Sequence, residues 1–237
     1  MKENKISRKN LTIFLTILLL TLSLLAISSN FLDDTKSKTR KRVACIGNSI
    51  TQITNYPNEL QIMLGTNYLV KNFGVSGSTV LNSTFRPYIQ QEAFKKAKEF
   101  LPEIVIIMLG TNDANTYNLP NIDQFVNDYT KLIYLIQELI TDPKIFLVKP
   151  PPIFYTGLDI NNTNLQQFVM PRIEQVAENL ELPTIDVYSS LIKYPEYFPD
   201  GVHPNIQGGK AIANKIYQKI TTETTKKQNC SILETGA

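Results

Sequence analysis

The chain contains one histidine, His203, in the segment Asp200-Gly201-Val202-His203-Pro204. Any reaction that needs an imidazole must use it. Asp200, three residues earlier, can orient the ring and stabilise its charged form. Far upstream, Ser49 stands in Gly47-Asn48-Ser49-Ile50-Thr51, just after a short apolar run. A serine hydroxyl is a weak nucleophile until a base removes its proton, and His203 is the one imidazole able to do so. Such a set is recognised by geometry and not by chain order. Singly, each residue also suits a structural duty: Ser49 as a helix N-cap, His203 as a loop residue ahead of a proline-started helix.

Two further segments carry the chemistry of charge stabilisation. Gly74 lies in Asn72-Phe73-Gly74-Val75-Ser76-Gly77-Ser78, where a missing side chain lets the backbone turn and approach a ligand closely. Asn112 lies in Gly110-Thr111-Asn112-Asp113, and its amide can donate to a developing oxyanion without supplying a proton. A loop glycine and an Asx-turn are the plain alternatives. With one histidine and two distant cysteines, Cys45 and Cys230, no zinc-ligand spacing is present, and a disulfide between an apolar run and a polar tail is not expected.

The elements that must position these residues alternate between strand and helix. Strands are expected at Val43–Ile46, Tyr68–Asn72, Glu103–Leu109, Lys144–Val148 and Thr184–Val187. Helices are expected at Tyr56–Leu64, Ile89–Phe100, Ile122–Thr141, Leu165–Leu180 (with one turn disturbed at Pro171) and Asn205–Thr222. The unbroken run Ile104–Leu109 suits a strand covered on both faces. Five strands alternating with helices predict one doubly wound α/β domain with a mainly parallel sheet. Ligands of such sheets bind at the carboxyl ends of the strands. Ser49, Gly74 and Asn112 all follow strand ends, and the Asp200–His203 loop leads into the last helix.

Taken together, the segments around Ser49, Gly74, Asn112 and Asp200–His203 resemble, in order, the motif blocks of the SGNH (GDSL-like) hydrolases. The resemblance covers nearly all of residues 43–222. Within that family the segment from Asn72 to Gly77 and the loop Lys149-Pro150-Pro151-Pro152 look most like carbohydrate acetylesterases, including sialate O-acetylesterase-like members. The resemblance implies a flavodoxin-like three-layer α/β/α sandwich with five parallel strands. It implies Ser49 as nucleophile, His203 as base and Asp200 as its orienter. The oxyanion hole would combine the Ser49 N–H, the Gly74 N–H and the Asn112 amide, and neither a metal nor another cofactor is needed. The first block departs from the family, which has Gly-Asp-Ser where this chain has Gly47-Asn48-Ser49. A changed pH profile or affinity is expected from Asn48, with catalysis retained.

The ends of the chain bear on location. Lys2, Lys5, Arg8 and Lys9 precede an apolar run from Leu11 to Ile27, which reads as a signal peptide over residues 1–28, cleaved near Ser28, or as a membrane anchor. Residues 29–42 read as a polar, basic linker, 43–222 as the hydrolase domain and 223–237 as a polar tail. The expectation is a secreted or membrane-anchored, extracytoplasmic domain. The net charge of +3 misleads, because from Val43 to Thr225 there are 13 basic and 17 acidic residues. That balance excludes the electrostatic footprint of a nucleic-acid binder. Glycosylation sequons begin at Asn82, Asn161 and Asn229, among others.

Rim loops are expected at Asn82–Tyr88, Asn115–Asn121 and Pro150–Leu158. Tyr88, Tyr117, Phe154 and Tyr155 are either sugar platforms or packing; Tyr68, Tyr129 and Phe146 are expected in the core. These readings converge on a serine esterase for a small-molecule or carbohydrate ester, acetyl above all. A lysophospholipase or short-chain thioesterase on the same site, and a non-catalytic glycan-binding module, are the alternatives.

Overall fold

The structure, a computed structural model, describes residues 17–23, 40–155, 157 and 159–234, with side chains as far as residue 223. The basic n-region, the cleavage position at Ser28, most of the linker and the side chain of Cys230 lie outside these residues. The chain divides into two units, residues 1–40 and 41–237. In the first, residues 17–23 are helical. No helix among the described residues is long and apolar enough to cross a membrane.

The second unit is built on five parallel strands, β1 (Lys41–Gly47), β2 (Tyr68–Gly74), β3 (Ile104–Met108), β4 (Lys144–Lys149) and β5 (Thr184–Asp186), in the order β2-β1-β3-β4-β5. Parallel neighbours need crossovers, and helices supply them: α1 (Ser49–Ile53), α2 (Tyr56–Leu64), α3 (Glu92–Glu99), α4 (Phe125–Gln137), α5 (Met170–Asn179) and α6 (Ile206–Glu234). Side chains alternate across a strand, and here the alternation sorts them into two cores. Ala44, Ile46, Val105, Ile107, Ile145 and Leu147 face Phe94, Phe125, Leu132, Ile133 and Ile173 of α3, α4 and α5. Val43, Cys45, Ile104, Ile106, Phe146 and Val148 face Tyr56 and Leu60 of α2 and Ile212, Ile216 and Ile220 of α6. A sheet buried on both faces explains why β3 reads as a continuous apolar run. This is the three-layer α/β sandwich expected from the sequence.

Several boundaries differ, each for a local reason. Lys41 and Arg42, placed in the linker by their charge, pair with Tyr68 and Leu69. The Arg42 N–H also donates to Glu103. The helix expected over 122–141 begins as a 3-10 stretch, Thr116–Gln124, and is α-helical only from Phe125 to Gln137. The helix expected over 89–100 is broken at Gln91, whose extended backbone ends one turn and opens α3. Pro171 lacks the N–H that would close a regular turn, and the preceding Leu165–Val169 winds as a wider π-helix. The polar stretch after Thr222 contains no breaker, and α6 continues to Glu234 where a tail was expected. Tyr129 and Phe146 are buried as expected, while Tyr68 is half-buried.

Cys45 is a free, fully buried thiol, and burial pushes its pKa up to about 12, outweighing the hydrogen bond with Tyr56. It is a packing residue without nucleophilic character at neutral pH. The sheet's centre sets stability: Ile106→Ala is expected to cost about 2–5 kcal/mol, as a lower urea midpoint at unchanged slope. A midpoint within experimental error of the wild type would show that β3 is not the packing centre.

Candidate active site

Strand β1 ends at Gly47, and Asn48 caps the helix that follows by accepting the Ile50 N–H at 2.9 Å. This turn leaves Ser49 as the first residue of α1, with its backbone N–H beyond the reach of the helix's own carbonyls. Its hydroxyl meets His203 Nε2 at 2.8 Å across 154 residues of sequence. Asn48 is wholly buried, and its Nδ2 has no hydrogen-bond partner among the described residues. The residue that departs from Gly-Asp-Ser therefore keeps the cap with its oxygen and leaves its amide donor unpaired among the described residues, next to Ser49.

The histidine loop is organised by Asp200. One carboxylate oxygen accepts the N–H groups of Val202 and His203 at 2.9 and 2.7 Å. The other lies 2.7 Å from His203 Nδ1. Because an ionised carboxylate only accepts, it assigns the proton to Nδ1 and leaves Nε2 as the acceptor for the Ser49 hydroxyl. Burial works against the charge on Asp200, but the backbone and ring N–H groups of His203 outweigh it and hold the pKa at about 2. Asp200 is thus ionised at any working pH. The loop is itself held from β4: the Gly201 carbonyl accepts the N–H groups of Phe154 and Tyr155 at 2.7 and 3.0 Å, and Phe154 packs against Phe198. The proline-rich loop after β4 therefore supports the loop that carries His203.

The oxyanion donors need a correction. Gly74 was expected to offer its N–H, yet that hydrogen is donated to Asn72 Oδ1 at 2.9 Å. A Cβ at Gly74 would lie 2.3 Å from the Gln52 nitrogen. The glycine lets α1 run against the end of β2. Three residues on, Gly77 adopts φ of 75°, a left-handed turn that favours glycine, and its N–H has no partner among the described residues. Gly77 lines a cavity of about 340 Å³ together with Asn112. Asn112 donates one amide hydrogen to the Ser78 carbonyl at 2.9 Å, which leaves the second for a ligand. The repeated glycine in Gly74-Val75-Ser76-Gly77 was the available signal, and the sequence alone does not say which of the two turns towards the site.

Asp113, also unassigned from the sequence, fastens this arrangement. It is fully buried, and its two oxygens accept the consecutive N–H groups of Val80 and Leu81 at 3.0 and 2.9 Å. Asp128 holds Asn82 in the same manner, through the backbone and the side-chain amide. The segment carrying Gly77 is thereby tied to the turn carrying Asn112. Burial pushes the Asp113 pKa up to about 7 against the pull of those N–H groups, with the charge of Asp128 adding to the rise. Among the described residues no group of His, Cys, Asp and Glu could hold a metal ion.

Of the aromatic residues at the rim, Tyr88 is packing: it is buried and donates to the Phe73 carbonyl. Tyr117 and Tyr155 are exposed.

Residues 45–211 match the model of the GDSL-like lipase/acylhydrolase family. The chain belongs to that family. Over 201 residues it is 34% identical to an acetylxylan esterase of Xylanibacter ruminicola, covering 74% of this chain and 42% of that protein. It thus spans less than half the length of that relative. A GDSL esterase/lipase of Arabidopsis thaliana is 21% identical over 76% of this chain and 79% of its own. Among solved structures, Est24, a carbohydrate acetylesterase from Sinorhizobium meliloti, superposes with a TM-score of 0.61 at 16% identity, over 77% of this chain and 99% of that one. The aryl esterase of M. smegmatis does so with a TM-score of 0.61 at 18% identity, over 77% and 99%. These two likenesses show the fold.

Asp113 gives the site a pH signature. Its pKa rises from 3.8 to about 7 on folding, so between these values the native state holds a proton that the unfolded state has released. Its contribution to stability is complete below the lower value and is lost as pH rises through the upper one. Asp113→Asn, which sets an amide against one backbone donor, is expected to cost about 1–3 kcal/mol. It should also remove the part of the fall in melting temperature between pH 5 and 8 that Asp113 contributes. Parallel pH profiles for the two proteins would contradict this assignment.

Proposed function

We propose that the chain is an extracytoplasmic serine esterase that removes small acyl groups, acetyl foremost, from carbohydrate. One observation carries the reading: the unbroken line from Asp200 through His203 to the Ser49 hydroxyl, with bonds of 2.7 and 2.8 Å. His203 Nε2 takes the hydroxyl proton as Ser49 Oγ bonds to the acyl carbon, and the carbonyl electron pair moves onto oxygen. In this reading the N–H groups of Ser49 and Gly77 and the free amide hydrogen of Asn112 are the donors to that oxyanion. Loss of one such donor typically costs about 2.7–4 kcal/mol of transition-state stabilisation. As the oxyanion collapses, the ester C–O bond breaks and the alcohol leaves with the proton from His203. Water, deprotonated by the same imidazole, then releases the acid and frees Ser49. Asp200 stays ionised throughout and offsets the imidazolium.

Two observations support carbohydrate. The relative from Xylanibacter ruminicola is named for acetylxylan. The cavity beside Asn112 is lined by Gly77, Thr79, Thr84, Arg86, Asn115 and Asn118, with Phe85 as its one apolar side chain, a lining that suits hydroxyl groups better than a fatty chain. The extracytoplasmic location rests on the basic and apolar pattern of residues 1–28.

Acetate release from acetylated xylo-oligosaccharides, beside hydrolysis of p-nitrophenyl acetate and octanoate, tests the reading. Ser49→Ala is expected to lower kcat by at least about 1,000-fold on every ester the wild type cleaves. Acetyl should be preferred to octanoyl. A Ser49→Ala protein with normal turnover would overturn the nucleophile, and a strong octanoyl preference would favour the lysophospholipase or thioesterase reading.

A further inference from the structure

The cavity beside the oxyanion donors is walled by two segments. Thr79, Thr84, Phe85 and Arg86 come from the segment after Gly77, and Asn115 and Asn118 from the turn after Asn112. Most of its polar atoms are already engaged. Thr79 and Thr84 bond to one another and to the Leu81 carbonyl. Asn115 Oδ1 accepts the Tyr117 N–H, and Asn118 Nδ2 donates to the Asn112 carbonyl. What remains for a ligand is the amide donor of Asn115, the amide oxygen of Asn118 and most of the Arg86 guanidinium.

Arg86 brings a guanidinium to the wall of this cavity. Arg42 pairs with Glu103 and Arg172 with Asp123, whereas Arg86 forms no ion pair among the described residues. One of its terminal nitrogens donates to the Ser76 carbonyl at 2.9 Å, which fixes the fork beside Gly77. The other N–H groups are uncommitted. No carboxylate lines the cavity, so its one formal charge is positive. Next to Arg86, Phe85 is 98% exposed, an aromatic ring standing in water with nothing packed over it. A ring face, a donor and an acceptor amide and a planar cationic fork together match a sugar that bears a carboxylate, because guanidinium geometry favours two parallel bonds to such a group.

We infer that this cavity is the saccharide subsite and that Arg86 makes it selective for an acetylated glycan carrying a uronate. The inference rests on the carbohydrate-esterase reading and names the charge of its substrate. In the bound state the sugar ring covers Phe85, its hydroxyls meet Asn115 and Asn118, and its carboxylate takes the free edge of the Arg86 fork. The ester then lies towards Asn112, the residue shared by cavity and oxyanion site.

The test uses the full chain and a matched pair of substrates, acetylated xylo-oligosaccharides with and without a glucuronate branch. The readout is the ratio of their kcat/KM values for acetate release. The wild type is expected to favour the acidic substrate by about tenfold, the worth of one charge-assisted contact. Arg86→Gln should bring the ratio close to one, and Arg86→Lys should retain part of it. Damage to the Gly77 segment would slow both substrates alike and leave the ratio standing, so the ratio isolates recognition from folding. A wild-type ratio near one, or one unaffected by Arg86→Gln, would overturn the inference while leaving the esterase reading intact. Cleavage of p-nitrophenyl acetate with no acetate from either oligosaccharide would instead sink the carbohydrate reading itself.

Discussion

The site depends on the parallel register of the first three strands. Gly47 stands opposite both Gly74 and Met108, so β1, β2 and β3 end at one level of the sheet. Ser49 leaves the first strand two residues later, Gly77 the second three residues later and Asn112 the third four residues later. No helix or loop has to reach across the molecule to bring Ser49, Gly77 and Asn112 to one edge of the sheet. Burial of the central strands on both faces holds that level fixed, since a one-residue slip would turn every core side chain to the wrong layer. The Val75 N–H bonding to the Gly47 carbonyl at 2.9 Å continues the pairing to the rim of the site.

Electrostatics then divides the labour among three aspartates. Asp200 is exposed enough, and well enough furnished with N–H donors, to stay charged beside the imidazole. Asp113 is buried without a cation and acts as a fastener for backbone N–H groups, with its ionisation pushed towards neutrality. Asp128 fastens Asn82 further along the same segment. The carboxylate bonded to the imidazole is thus separate from those that hold the Gly77 and Asn112 segments in place.

Much of this was legible in the chain. The apolar runs disclosed the strands, and the lone histidine, Asp200 and Ser49 stood out as a set that the fold brings within hydrogen-bond distance, because residue type restricts such chemistry severely. The illegible parts turn on backbone direction. Whether Gly74 or Gly77 presents its N–H depends on the approach of α1 to β2 and on the side chain of Asn72, neither of which is written in local pattern. The continuation of α6 past Thr222 was hidden by polar composition, which resembles a tail as much as a solvated helix. Asp113 looked like an ordinary loop acid, since only the packed structure shows that its two oxygens meet two consecutive backbone donors.

The central claim is that the Ser49 hydroxyl is made nucleophilic by its hydrogen bond to His203. Labelling with a serine-directed phosphonate, followed by peptide mass spectrometry, addresses it directly. One adduct per chain is expected, on the peptide holding Ser49, with labelling lost in His203→Ala because the chain has no second imidazole. An adduct on another residue, or undiminished labelling of Ser49 in His203→Ala, would contradict the account.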